Sequence, residues 1–322
     1  MKLDPKTTAF VFPGQGSQIV GMGKDLAAQY LIARQTFDEA DSILGFSLST
    51  LMWAGPDTDL NDTVNTQPAL YIHSLASWKT FTHLYPSTLP SVAGQGFRPA
   101  ALAGHSLGEL SALAAAGAFS FADGLRLVRT RGELMKRAGQ AAPGSMAAIL
   151  GVDIPTLDKV CADASRPDEI VQVANDNCPG QVVISGAKAA VERAMAGAKS
   201  AGAKRALPLA VSIAAHSPLM ASIQEEWNSA VQSAAFNDFG TPVIGNVHAM
   251  PFTDAASARA DILAQMGSRV RWTDSVKLMA NQGIGTFVEV GSGTVLGGLV
   301  KRIAEGALSL PLGNPQDFAN LE

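Results

Sequence analysis

Hydrophobic positions recur along this chain in two rhythms, short unbroken apolar runs and longer stretches at helical spacing. Residues 8–12 (TAFVF) are a run of the first kind, stopped by Pro13-Gly14, and predict a buried strand entering the tight loop Gly14-Gln15-Gly16-Ser17-Gln18. Helical spacing predicts helices over 25–44 and over 68–85, the second with Leu70, Ile72, Leu75, Trp78 and Phe81 mostly on one side. Residues 56–67 read as a polar connection, and 86–99 carry Pro and Gly at the density of a surface excursion. A small-residue strand over 100–103 then leads into Gly104-His105-Ser106-Leu107-Gly108 and an alanine-rich helix over 109–116, which Gly117 is placed to end. Another helix is predicted over 122–138 and stops before Pro143-Gly144.

Between about 145 and 213 the order becomes strand 146–152, helix 154–164, strand 170–174, strand 181–185, helix 187–201 and strand 205–213. That β-α-β-β-α-β succession is the ferredoxin-like arrangement, and it predicts a small unit, 143–213, inserted into a larger α/β domain made of 1–142 and 214–322. The remainder predicts a helix over 218–234, a strand over 242–246, helices over 255–265 and 273–281, a strand over 286–290, and a Gly-rich turn into a last helix.

Composition narrows the possibilities. With 322 residues, 47% hydrophobic and 16% charged, the chain can bury a sizeable core. Lys+Arg 24 against Asp+Glu 28 leaves a net charge of −4, without the basic excess that neutralises a phosphate backbone, so nucleic acid is excluded as a partner. Two cysteines, Cys161 and Cys178, fit neither a zinc-ligand spacing nor a disulfide framework and read as reduced thiols. The N-terminus meets Pro13-Gly14 too soon for a signal segment, and no apolar run approaches the ~20 residues of a membrane helix. The expectation is a cytoplasmic protein with no membrane association.

Four features can carry chemistry. The GxSxG at Gly104–Gly108 sits between a predicted strand and a predicted helix, the context in which a serine projects from a sharp turn with helix-start N–H groups beside it; a tight turn with an N-capping serine is the plainer alternative. A serine nucleophile needs a base, and the histidines are His73, His83, His105, His216 and His248. His105 would point away from its neighbour Ser106, and His73 and His83 lie on an expected surface helix. His216 follows an apolar stretch at an expected strand end, and is favoured over His248. On the 122–138 helix, Arg131 shares a stripe with Gly124, Leu127, Val128, Leu134, Met135 and Ala138, so it points inward. A buried guanidinium must meet a fixed carboxylate or hold an anionic ligand. The Gln15 loop either aims an N–H at an oxyanion or is a simple Gly-rich turn; the Lys-Ser/Thr of a phosphate-binding P-loop is missing.

Taken together, FPGQGSQ (12–18), QPAL (67–70), GHSLGE (104–109), RTRGELM (129–135), GQVVISG (180–186), AHSPLM (215–220), VRWTDSV (270–276) and VEVGSG (288–293) make the chain resemble malonyl-CoA:acyl carrier protein transacylases of type II fatty acid synthesis and the related acyltransferase domains of polyketide synthases. The resemblance covers nearly the whole chain. It implies a hydrolase-like α/β domain with a ferredoxin-like insertion, Ser106 as nucleophile, His216 as base, and Arg131 on the malonyl carboxylate. It further implies oxyanion-hole N–H groups from Gln15 and Leu107, a backbone carbonyl at Gln265 orienting the histidine, and an acyl pocket lined by Leu107 and Ala215. The implied substrates are malonyl-CoA and holo acyl carrier protein, with no metal and no bound cofactor, in a protein that is usually a monomer.

Two departures stand out: Ser292 and Thr294 occupy places where relatives commonly have Pro and Lys, and 86–99 is longer than usual. Acyl carrier proteins are usually acidic, so Arg126, Arg129, Lys136 and Arg137, then Lys199, Lys204 and Arg205, then Arg269, Arg271 and Lys277 are expected to form basic patches that steer the partner. A serine esterase or thioesterase is the rival of another class, and a dedicated acyltransferase of a polyketide or malonate decarboxylase system is the rival within the class.

Overall fold

The computed structural model describes residues 2–86, 97–211 and 213–321, so most of the expected 86–99 excursion lies outside the described residues. Among the described residues, ten strands form two sheets. β1 (Thr8–Phe12), β2 (Ala101–Gly104), β7 (Val243–Ile244), β8 (Pro251–Phe252), β9 (Thr286–Val290) and β10 (Leu308–Leu312) make a six-stranded sheet in the order β10-β9-β1-β2-β7-β8, parallel except for β8. β1 and β2 are buried throughout, as strands covered on both faces must be. Their register pairs Phe12 with Gly104, so the two Gly-rich loops leave the sheet side by side at its carboxyl edge, where open α/β sheets place their sites.

The second sheet holds β3 (Gly144–Leu150), β4 (Val171–Cys178), β5 (Gln181–Ala187) and β6 (Arg205–Pro208), antiparallel in the order β4-β5-β3-β6. This is the strand order of a ferredoxin-like sandwich, and the helices Ile154–Ala164 and Lys188–Ser200 close over one face around Ala147, Ile149, Leu157, Val191 and Ala194. β4 runs on past residue 174, where the expected strand stopped, and joins the segment after the helix Ala255–Gln265: Val270 N donates to Ala174 O (2.8 Å) and Asp176 N to Val270 O (2.9 Å).

Several expected elements change form. The 25–44 helix breaks at Tyr30, whose extended backbone (φ −118°, ψ 119°) separates Lys24–Gln29 from Leu31–Leu44 while its ring packs on Phe318. The polar connection 56–67 is partly helical: Asp57–Leu60 is one turn, and a long helix, Thr63–Leu84, starts on an Asp62 cap and runs through Pro68. Pro68 cannot donate to Val64 O, and Arg129 Nη1 takes that carbonyl instead (3.2 Å). His73, expected on a surface helix, is buried with Nε2 2.9 Å from Gly313 O, and burial pushes its pKa down to about 4. β6 ends at Pro208 rather than at residue 213, and the 218–234 helix opens as a 3-10 turn, Pro218–Ile223, ahead of Gln224–Ser233. The helix Leu48–Ala54, the strand β10 and the short helix Pro315–Ala319 were not anticipated. Among the described residues, no helix is long and apolar enough to cross a membrane.

Candidate active site

Ser106 stands between β2 and the helix Leu107–Ala116 with φ 52° and ψ −107°, a conformation that costs a non-glycine residue about 1–3 kcal/mol. Its flanking glycines answer a close approach of backbones. A side chain at Gly104 would enter the Gly108 backbone, and one at Gly108 would enter the Phe12 carbonyl. Asn246, just beyond β7, pins the turn from both sides: Ser106 N donates to its Oδ1 and its Nδ2 donates to Gly104 O, both at 2.7 Å. Strain at this serine is thus held by a side chain from the neighbouring strand.

His216 Nε2 lies 2.7 Å from Ser106 Oγ. Its Nδ1 lies 3.0 Å from both Gln265 O and Ser268 O, so this nitrogen carries the proton and the Nε2 lone pair faces the serine hydroxyl. Burial, then the neighbouring Arg131 guanidinium, push the imidazole down to about 3, which keeps it neutral and able to accept a proton. His216 also has a left-handed backbone, φ 58°, and Gln172 of β4 secures it by donating Nε2 to His216 O (2.7 Å) and Gly267 O (3.1 Å). The remaining histidines are elsewhere: His105 bonds Asn177 Oδ1 (2.8 Å) and packs edge-on to Trp272, while His83 and His248 are exposed.

Arg131 is only 2% exposed, and among the described residues no carboxylate lies within ion-pair distance of it. Neutral oxygens hold it: Nη1 donates to Gln67 Oε1 (2.9 Å), and Nη2 to Gln265 Oε1 (3.0 Å) and Ser106 Oγ (3.1 Å). Among the described residues its Nε has no partner. Burial brings its pKa down to about 10, still charged at neutral pH. A desolvated cation with an unused donor beside a serine hydroxyl is arranged to receive an anionic group.

Gln265 does more than present a carbonyl. Its Nε2 donates to Ser106 O (2.9 Å) and to Glu109 Oε2 (2.6 Å), so one side chain joins the serine turn, the arginine and a buried glutamic acid. Burial and the nearby Asp261 hold the Glu109 carboxyl well above the usual range. The Gln15 loop abuts the serine turn, with no room for a side chain on Gly14 beside the His105 carbonyl, and Leu107 opens a helix whose first N–H groups have no helical acceptor. Ser292 Oγ donates to Ser17 O (2.6 Å) and so fastens the far side of that loop. Asn246, Ser268 and Gln172 escaped the sequence reading, and Gln67 entered it only as the first residue of QPAL, with no role assigned. Asn246 ends a predicted strand next to the serine strand, a position that the carboxyl-edge rule could have flagged.

The chain matches the family described as acyl transferase domain over residues 9–305. This chain belongs to the acyl transferase family. It is 44% identical over 307 residues to the malonyl CoA-acyl carrier protein transacylase of Salmonella typhimurium, covering 95% of this chain and 96% of that one. The acyl carrier protein S-malonyltransferase of Vibrio cholerae superposes with a TM-score of 0.92 at 44% identity, over 98% of this chain and 100% of that one. A malonyl-transacylase in complex with a type II polyketide acyl-carrier protein superposes with a TM-score of 0.90 at 40% identity, over 98% of each chain. In this acyl transferase the expected basic patches are mostly neutralised on their own surface. Arg126 pairs with Asp123, Arg129 with Glu133, Lys136 with Asp62, Arg137 with Glu226, Arg269 with Asp158 and Arg271 with Asp274. Among the described residues, Lys199, Lys204, Arg205 and Lys277 are exposed with no acid within ion-pair distance.

Proposed function

We propose that this acyltransferase moves the malonyl group from malonyl-CoA to the phosphopantetheine thiol of acyl carrier protein, through a malonyl ester of Ser106, in the cytoplasmic supply of fatty acid synthesis. The observation that carries this reading is the buried Arg131, with no carboxylate within ion-pair distance among the described residues and 3.1 Å from the Ser106 hydroxyl. A carboxylated acyl group supplies the missing charge. As Ser106 Oγ attacks the thioester carbonyl, its proton passes to His216 Nε2, and the tetrahedral oxyanion faces the N–H groups of Gln15 and Leu107. The C–S bond breaks and the CoA thiolate takes the proton from His216. The carrier thiol then gives its proton to His216, attacks the ester and releases Ser106, which recovers its proton.

Support for transfer over hydrolysis comes from His216 Nδ1, which faces two carbonyls where a triad would place a carboxylate. No step draws on a bound cofactor or metal. Residues 143–213 form the subdomain inserted between 1–142 and 214–322, and the protein acts as a monomer. The similar transacylase bound to a type II polyketide acyl-carrier protein makes a polyketide carrier the second reading.

Intact-protein mass after mixing with malonyl-CoA, before and after adding holo acyl carrier protein, tests the reading. A malonyl adduct absent from Ser106→Ala and discharged onto the carrier is expected. Consumption of malonyl-CoA with neither adduct nor loaded carrier would make the protein a hydrolase.

A further inference from the structure

Three hydrogen bonds run from the arginine to the Gln15 loop. Arg131 Nη1 donates to Gln67 Oε1 (2.9 Å), Gln67 Nε2 to Thr63 Oγ1 (3.0 Å), and Thr63 Oγ1 to Gln15 Oε1 (3.0 Å). Every donor points the same way, from the charged guanidinium outward, the arrangement in which successive bonds polarise one another. Thr63 and Gln67 are buried, four residues apart at the start of the helix Thr63–Leu84. The absence of a side chain at Gly132, next to Arg131, lets the Phe121–Ala141 helix close on the Thr63 backbone, where a Cβ would stand 2.8 Å from Thr63 O. The two ends of the relay therefore have little freedom to drift apart. With its amide oxygen engaged by Thr63, Gln15 has its Nε2 and backbone N–H left to face a ligand.

We propose that Thr63 is a positioning residue that couples the Arg131 clamp to the oxyanion loop, so that a carboxylate held at Arg131 favours the Gln15 geometry needed for attack. The inference rests on the acyl-transfer reading above. A hydroxyl is needed at this position because one atom must accept from Gln67 and donate to Gln15, which serine reproduces and valine does not. Removing an oxyanion donor outright lowers turnover by about 10²–10³-fold, and losing only its support should cost about 10-fold.

The test follows Ser106 acylation by malonyl-CoA in rapid-quench mass measurements, with thermal unfolding of each variant alongside. Thr63→Val is expected to lower the maximal acylation rate about 10-fold with KM little changed, and Thr63→Ser to restore it to within about 2-fold. In an Arg131→Ala background, acylated at high malonyl-CoA, Thr63→Val should have little further effect, because the relay has lost its origin. Equal losses in the two backgrounds, an unchanged rate in Thr63→Val, or a Thr63→Ser as slow as Thr63→Val would each overturn the proposal. Should Thr63→Val not fold, Gln67→Met severs the next bond and is read by the same criteria. A wild type that loads malonyl while Thr63→Val matches it rejects the coupling alone; a wild type that takes no malonyl onto Ser106 rejects the transfer reading and the coupling with it.

Discussion

Arg131 and His216 act on each other before any substrate arrives. The guanidinium is the second cause, after burial, of the depressed histidine pKa of about 3, and it touches the same hydroxyl that the histidine Nε2 faces. In the proposed transfer the neutral imidazole is the working form, so His216 is expected to impose no acid limb on acylation until the pH nears that value, and removing the nearby positive charge should shift the limb to higher pH. Arg131→Ala should show this shift in the pH dependence of kcat/KM for acetyl-CoA, together with about a 10²-fold fall in malonyl relative to acetyl transfer, the scale of a charged hydrogen bond. An acid limb identical in wild type and variant would show that the two groups do not interact. Ser106, His216 and Arg131 were legible because each combines a chemically marked residue with a local signal: a sharp turn, a strand end, an inward stripe. Gln67, Asn246 and Gln172 were not, since an amide has no such mark and its use depends on partners 44 to 140 residues away.

At the scale of the element, the start of the Thr63–Leu84 helix is the instructive failure. Pro68 reads as a helix beginning, because proline is tolerated in the first turn and damaging further in. Here it lies in the second turn, and the carbonyl it leaves without a donor is served by Arg129 from another helix. Local rules cannot see that tertiary donor. The consequence reached the site, since starting the helix at residue 68 hid both Thr63 and Gln67 in an expected loop. Arg129→Met should lower stability by about 1 kcal/mol, roughly 2 °C in Tm for a chain of this size, and Pro68→Ala should shrink that loss by offering Val64 O a backbone donor. Additive effects in calorimetry would separate the two residues. The strand–helix order of the four-stranded sheet was legible because β3 to β6 and their helices each carry a clean period, and β7 fell within the expected strand 242–246, whereas β8, two residues long, is too short to show one.

For the molecule as a whole, charge is distributed less simply than the sequence suggests. Counting cations along the chain finds three basic groups; pairing them in space leaves Lys199, Lys204, Arg205 and Lys277 as the members without an acid partner among the described residues. Lys204→Glu is therefore expected to slow discharge of the malonyl enzyme onto acyl carrier protein several-fold at low ionic strength while leaving acylation by malonyl-CoA unaltered, and the difference should fade as salt is added. Stopped-flow measurement of the two half-reactions decides it, and equal slowing of both would remove Lys204 from carrier docking. Arg129, whose side chain is engaged with Glu133 and Val64 O, is a stability residue in such an experiment and a poor probe of docking.

His216 lies 110 positions after Ser106, the interval holds the whole four-stranded sheet, and the carbonyls that orient the histidine come later still, at 265 and 268. A chain emerging from the ribosome thus carries the serine through about a third of its synthesis before the histidine that faces it has been made. The arrangement is complete only once residue 268 has been made, so a chain cut short before that point lacks the carbonyls that orient the imidazole.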